Sequence, residues 1–287
     1  MRFAVNIPLF GPFANPLEAM TLAREAEAAG WDGFFVWDHI SFWGVPAADP
    51  WVTLAAVALN TQRLRIGATI TPLPRRRPWK VARETVTLDH LSGGRLIFAT
   101  GIGGGGDEWA ELGEETDEKA RAAMLDEGLG LLTTLWQGGA LNHQGTFYTV
   151  QVKSFLPQPV QQPRIPIWIA GMWPNKAPFR RAARWDGVYP IPRDNPLDTV
   201  LTPQDYRDIL AYVHQHRASE APFDVVHGGI SPADPAQAGT AVRPYAEAGV
   251  TWWQESVSPW AFGWRGENDP WPLEAMRARV LAGPPRL

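Results

Sequence analysis

A titratable pair, Asp38-His39, directly follows the apolar run Gly33-Phe34-Phe35-Val36-Trp37, which has the length and composition of a buried strand. Histidine titrates near neutrality, so at such a place it can pass a proton or hold a hydrogen bond. Asp38 is expected to orient His39 or to cap the following segment. The same dipeptide recurs as Asp89-His90 inside a helical pattern, near its C-terminus, where an imidazolium complements the helix dipole; that pair is expected to be structural. The other predicted strand ends carry Asn6, Thr69-Ile70-Thr71, Thr100-Gly101, Gly171-Met172-Trp173, Pro190, His227-Gly228-Gly229 and Glu255. This set has few carboxylates and no His/Asp cluster at metal-ligand spacing. His214 and His216 are two apart on a predicted helix and face different sides, so no metal is expected. With no cysteine, thiolate nucleophiles and disulfides are excluded, and no Gly-x-Ser-x-Gly elbow occurs. Glycines, small hydroxyls and aromatics remain, the lining for a flat cofactor whose own ring does the chemistry.

Other local patterns bear on the same chemistry. Gly101-Ile-Gly-Gly-Gly-Gly106 formally matches G-x-G-x-x-G after a strand. That strand is the fourth, however, and the next segment (107–118) is acidic and does not read as a prompt helix, which argues against a dinucleotide fold. Its expected role is to let backbone approach a ligand closely. The loop Gly171-Met172-Trp173-Pro174-Asn175 precedes a helix and can offer N–H groups to a phosphate, with Lys176 and Arg180 adding charge. The run Arg75-Arg76-Arg77 is expected to be solvated, the alternative being that it meets a phosphorylated cofactor tail or a partner flavin reductase. Trp253 and Glu255 share one strand face and Trp252 the other, and the sequence leaves open which face points inward. Several of the 15 tryptophans fall in predicted loops (Trp43, Trp173, Trp260, Trp264, Trp271), where they can wall a pocket, pack loops or form an oligomer interface.

The elements that must position these residues alternate from end to end. Strands are predicted at 2–7, 33–37, 64–69, 95–100, 165–170, 187–191, 223–227 and 250–255. Helices are predicted at 16–29, 50–60, 79–91, 119–136, 176–184, 203–217, 235–248 and 270–281. Asn15-Pro16, Asp49-Pro50 and Thr202-Pro203 serve as helix starts. Residues 142–150 alternate like a hairpin arm and 153–166 are proline-rich. The expected architecture is therefore an α/β chain of one domain, residues 1–287: a (β/α)8 TIM barrel with an insertion, about 140–164, between the fourth helix and the fifth strand. In such a barrel the chemistry lies at the C-terminal ends of the strands.

The order and spacing of several motifs resemble the luciferase-like flavin-dependent oxidoreductases, the superfamily of bacterial luciferase and the F420-dependent reductases. The motifs are Ala26-x-x-x-Gly30-Trp31-Asp32-Gly33-x-x-x-x-Asp38-His39, Leu64-Arg65-Ile66-Gly67-Ala68-Thr69-Ile70-Thr71-Pro72, and Arg83-Glu84-Thr85-x-x-x-Leu88-Asp89-x-Leu91-Ser92-Gly93-Gly94-Arg95, followed by Gly101-x-Gly103 and Ala183-x-x-Asp186-Gly187. The likeness spans nearly the whole chain. It implies a barrel with an insertion and FMN or coenzyme F420 at the mouth. It also implies a non-proline cis peptide at the end of the third strand, here Ala68-Thr69. His39 and Trp43 match the histidine beside the reactive ring edge and the tryptophan that closes the pocket. Ala68, Thr69, Thr100, Gly101, Gly103, Gly171, Met172 and Trp173 are the expected cofactor contacts. Sugar-phosphate dehydrogenases of the F420 branch have a glutamate just after the fourth-strand glycines. Gly103 and Gly104 occupy the matching places, with carboxylates only at Asp107 and Glu108, which argues against that reaction.

The expected function is flavin-dependent oxidoreductase or monooxygenase chemistry on a small organic substrate, by hydride transfer or O2 activation. The alternative is a non-catalytic flavin-binding accessory protein of the same fold. A separate flavin reductase is implied if reduced FMN diffuses in, and apolar barrel flanks suit a homodimer. A composition of 45% hydrophobic and 20% charged residues with a formal net charge of −4 suits a globular chain and gives no nucleic-acid footprint. No apolar run reaches the roughly 18 residues of a membrane span, and no leader pattern opens the chain, so a cytoplasmic protein is expected.

Overall fold

The protein is described by a computed structural model covering residues 1–42, 44–104, 107–193, 199–266 and 269–287. Its elements run β1 (Arg2–Ile7), α1 (Pro16–Ala28), β2 (Gly33–Val36), α2 (Pro50–Asn60), β3 (Arg65–Ala68), β4 (Thr71–Pro72), α3 (Pro78–Ser92), β5 (Phe98–Gly101), α4 (Asp107–Glu111) and α5 (Glu118–Trp136). The hairpin strands β6 (Leu141–Gln144) and β7 (Thr149–Val152) follow. Then come β8 (Ile167–Trp173), α6 (Lys176–Ala182), β9 (Gly187–Pro192), α7 (Pro203–His216), β10 (Asp224–Gly229), α8 (Pro235–Glu247), β11 (Trp252–Ser256) and α9 (Leu273–Leu281). The helix starts are those the capping residues announce. Asn15 accepts from the Leu17 N–H, Asp49 from the Val52 N–H, and Thr202 forms a capping box with Asp205.

The strands form one parallel sheet in the order β3-β2-β1-β11-β10-β9-β8-β5-β4. Its ends are joined where the Ile97 N–H donates to the Ile66 carbonyl at 2.9 Å and Ile66 bridges Leu96. Because β3 and β4 are two halves of one interrupted stave, the sheet is a nearly closed barrel of eight staves wrapped by helices, the expected fold class. Inward-facing Phe35, Trp168 and Trp252 fill it, with ring centroids 5.5 to 6.0 Å apart. That aromatic plug leaves no lumen, so a ligand must sit at the mouth.

The interruption of the third stave corrects one expectation. The non-proline cis bond is Thr69-Ile70, one residue beyond Ala68-Thr69. The Thr69 N–H still donates to the Val36 carbonyl at 2.8 Å, so the chain leaves the parallel ladder only after it. A second correction concerns residues 107–118: α4 forms there, directly after the glycine loop, where the acidic composition suggested none.

Between α5 and β8, β6 and β7 pair antiparallel from Leu141↔Val152 to Gln144↔Thr149. The Glu127 carboxylate of α5 accepts the N–H groups of Thr146, Phe147 and Tyr148 and thereby seats the hairpin turn. The proline-rich stretch after it is held by Asp89, whose carboxylate takes the Gln161 N–H and side chain, and by His90 Nε2 at 2.7 Å from the Gln158 carbonyl. The second Asp-His pair thus has a structural role.

Candidate active site

His39 leaves β2 at the barrel mouth, half-buried, with Phe10 and Phe42 rings 5.4 and 5.2 Å from its own. Its Nδ1 lies 3.1 Å from Glu108 Oε2. Glu108 stands on the first turn of α4, and its other oxygen accepts the Ile40 N–H at 2.5 Å and the Ser41 N–H at 3.0 Å. Arg75 Nη1 completes the set at 2.7 Å from Glu108 Oε2. Burial alone would push the Glu108 carboxyl up. The hydrogen bond to His39, those to the Ser41 and Ile40 N–H groups and the Arg75 charge outweigh burial and hold it down at about 2. Glu108 is therefore a fixed carboxylate, and among the described residues His39 Nε2 has no hydrogen-bond partner.

Asp38 does not orient His39. Its fully buried side chain takes Arg75 Nη2 at 3.2 Å and Arg76 Nη2 at 2.7 Å. The sequence placed Asp38 as support because it is adjacent, but just past β2 its carboxylate is taken by the two arginines and His39 turns to Glu108 instead. The arginine run is likewise corrected. A short 3-10 turn, Leu73–Arg75, folds back after β4 and carries Arg75 into the interior between Asp38 and Glu108, while Arg77 is exposed. A guanidinium between two carboxylates is compensated, which permits its burial. Glu108 was missed because it lies several residues past the glycines. The only sequence signal was its place in the first carboxylate pair after them.

Gly103 makes room for the first turns of α4. Gly103 has φ +86°, and a Cβ there would lie 2.3 Å from the Trp109 ring, so the indole next to Glu108 is seated on a position only glycine fills. Trp109 is in turn covered by Arg121, 4.3 Å from its ring, and by Arg75 at 5.7 Å.

The remaining expected residues divide by the face they present. Ala68 is buried in the core cluster that the helices cover. Thr69 Oγ1 meets Gln254 Oε1 at 3.3 Å in the floor of the mouth. Thr100 is fully buried, its hydroxyl donating to the Thr71 carbonyl at 2.8 Å. Gly101 faces the mouth, where a Cβ would come within 3.3 Å of Ala170 Cβ and Ile70 Cγ2. Gly171 packs against Pro178 of α6, and Met172 is exposed on β8. Trp173 meets Phe179 edge-on at 5.1 Å and carries the Lys176 ammonium 3.7 Å over its ring, so that cation is engaged by an aromatic face. Trp43 lies outside the described residues.

In the floor, Asn6 Oδ1 and Gln254 Nε2 are buried without a partner among the described residues. Burial pushes the neighbouring Tyr189 hydroxyl up to about 12, against a hydrogen bond from Asn6. On β11, Trp252 is the inward residue. Glu255 points to the helical layer, where it takes Arg279 Nε at 3.2 Å, the Ser231 N–H at 2.9 Å and Trp253 Nε1 at 2.9 Å, anchoring α9. His227 is also buried on that side, its Nδ1 2.9 Å from the Tyr206 hydroxyl, and burial pushes its pKa down to about 3. Among the described residues, no group of His, Asp or Glu is placed to hold a metal.

Comparison with known proteins places this geometry in context. Residues 5–249 match the family model described as luciferase-like monooxygenase. An F420-dependent glucose-6-phosphate dehydrogenase of Beutenbergia cavernae is 33% identical over 167 residues, 56% of this chain and 48% of the relative. The oxygenase component of a flavin-dependent trigonelline monooxygenase from Acinetobacter baylyi is 28% identical over 162 residues, 56% of this chain and 45% of the relative. The chain thus spans about half the length of these curated relatives. Among solved structures, the monooxygenase RslO1 of Streptomyces bottropensis superposes with a TM-score of 0.72 at 23% identity, covering 98% of both chains. The coenzyme F420-dependent tetrahydromethanopterin reductase of Methanopyrus kandleri superposes with a TM-score of 0.76 at 15% identity, again covering 98% of both. At these identities the structural likeness speaks to the fold.

Proposed function

From the premise that the chain belongs to the luciferase-like monooxygenase family, we propose that it is an oxidoreductase. In this reading it binds FMN or coenzyme F420 at the barrel mouth and interconverts a small organic alcohol and its carbonyl compound. The observation that carries the reading is the 3.1 Å contact between His39 Nδ1 and Glu108 Oε2. Glu108, held as a carboxylate, accepts the Nδ1–H and sets the tautomer, which leaves the Nε2 lone pair to take the hydroxyl proton of an alcohol, or to return it to a carbonyl oxygen. Arg75 and the N–H groups of Ile40 and Ser41 keep the carboxylate in place. The bound ring supplies the hydride acceptor or donor, or the O2 chemistry when reduced.

Two features of the mouth fit a flat ring. Gly101 omits the Cβ that would crowd the space over Ile70 and Ala170. Asn6 Oδ1 and Gln254 Nε2 offer a buried acceptor and a buried donor that no protein group uses among the described residues, and burying them unpaired is costly. Thr69, Gly103, Met172 and Trp173 complete the proposed cofactor surroundings, with Trp43 as a further candidate. The argument against a sugar-phosphate dehydrogenase from a missing carboxylate falls, because Glu108 reaches His39 from α4.

The named activity of the Beutenbergia cavernae relative supports F420 and hydride transfer. The Acinetobacter baylyi relative, named as an oxygenase component, supports a second reading with FMN, O2 and a separate reductase. No helix among the described residues is long and apolar enough to cross a membrane. A cytoplasmic homodimer belongs to the same proposal, the dimer in keeping with Val52 and Leu59, which α2 leaves 67% and 63% exposed. Side-by-side titration with FMN and F420 tests the reading. One cofactor binds at 1:1, and His39→Ala keeps that binding and the thermal midpoint while turnover collapses. A folded sample that binds neither cofactor would sink it.

A further inference from the structure

Beside His39 the loops after β1, β2 and β11 line an open cleft of about 100 Å³. Phe10, Phe42, Trp260, Trp264 and Trp271 form its walls, together with Arg265. Phe10 and Phe42 stack at 4.2 Å and 10°, and both rings pack against His39. Trp260 stands across Phe42 at 75°, Trp264 across Trp260 at 83°, and Trp271 is tilted 45° to Trp264. Trp37 stacks behind Trp260 at 5.8 Å and 2°, so that wall is backed. Walls set at right angles offer a flat guest both a face and an edge, the two favourable aromatic geometries.

Among the described residues, Arg265 is the one charged side chain lining this cleft. Its backbone N–H, not its guanidinium, is taken by Asp269 at 3.1 Å, and Asp269 also holds Trp264 Nε1 through its carbonyl. Among the described residues the Arg265 guanidinium has no ion pair. A planar cation at the rim of apolar walls recognises a carboxylate or a similar anion. A sugar phosphate fits poorly, because its hydroxyls would be desolvated against indole and phenyl faces without partners.

We propose that the substrate is a flat aromatic molecule carrying an anionic group, its ring laid in the corner that the Trp260 and Phe42 rings form and its anion on Arg265. The inference rests on the oxidoreductase reading and names the substrate class of that same site.

Calorimetric titration of the cofactor-loaded protein with 2-naphthoate, 2-naphthamide and hexanoate tests it. The naphthoate is expected to bind saturably, about tenfold tighter than the uncharged amide and tighter still than the aliphatic acid, tenfold being the scale of one exposed charge-assisted contact. Arg265→Gln, on an exposed loop, is expected to bring the naphthoate down to the affinity of the amide and leave the amide unchanged. Equal binding of acid and amide, equal binding of naphthoate and hexanoate, no saturable binding, or indifference to Arg265→Gln would each overturn the proposal. The cofactor titration on the same samples separates the two readings. Lost cofactor binding removes the oxidoreductase assignment, whereas normal cofactor binding with any of those naphthoate results removes only the substrate class.

Discussion

His39 and Glu108 are 69 positions apart in the chain and meet at 3.1 Å at the barrel mouth. Neither is a neighbour of the other's strand. The contact persists because Arg75 and two backbone N–H groups fix the carboxylate that the imidazole needs.

Glu108→Gln keeps an oxygen toward the Ile40 and Ser41 N–H groups but removes the charge and the tautomer control. It is expected to lower kcat about a hundredfold, the scale of general acid–base catalysis. KM and cofactor affinity should change little, and Glu108→Asp should recover part of the loss. A kcat within threefold of wild type in steady-state assays would remove Glu108 from the proton path.

Arg75→Met leaves the buried Asp38 with only Arg76 and strips Glu108 of its cation. Breaking a buried pair in this way costs about 3–5 kcal/mol, to be read as a lowered urea midpoint. Arg77→Ala, two residues on and exposed, is expected to stay within about 0.5 kcal/mol. Equal effects at the two positions would contradict the burial asserted for Arg75.

Gly103→Ala places a methyl 2.3 Å from the Trp109 ring at a φ of +86°. Both the backbone penalty, about 1 kcal/mol or more, and the displaced indole act on the turn that carries Glu108. Thermal melting should show a lower midpoint, and turnover should fall further than the stability loss explains. Gly104→Ala has open space around its Cβ and serves as the control.

His227 sets an acid limit on stability. Its folded pKa of about 3 lies below that of an unfolded histidine, about 6.5. The folded state therefore prefers the neutral ring. This contribution is fully present above pH 6.5 and is lost as pH falls from there toward 3, by up to about 1.4 kcal/mol per pH unit. Equilibrium unfolding of His227→Gln against wild type across pH 7 to 4 is expected to show a shallower decline in the variant. Parallel curves would show that His227 is not the group responsible.

Much of the architecture was legible because the strands and helices of a barrel repeat one local pattern. Arg2–Ile7 and Pro50–Asn60 were bounded to the residue, since apolar runs, caps and prolines act within a few positions. The helix at Asp107–Glu111 was not, because five residues after a glycine run carry too little periodicity to register. The solvated reading of Arg75 failed for a different reason. Charge runs are exposed unless something compensates them, and the compensating Asp38 and Glu108 come from distant segments.

By itself the sequence determined the eight-stave plan, the family resemblance and the placing of His39 at the mouth, all of which follow from local periodicity and from motifs read in order. Only the tertiary structure decided the partnerships: Glu108 rather than Asp38 beside His39, Arg75 inside rather than in water, and Trp252 rather than Glu255 facing the barrel interior. The physical reason is that adjacency along a strand sends neighbours to opposite faces. Barrel closure brings loops together across long stretches of chain, and buried charges then settle only where a counter-charge has been delivered to them.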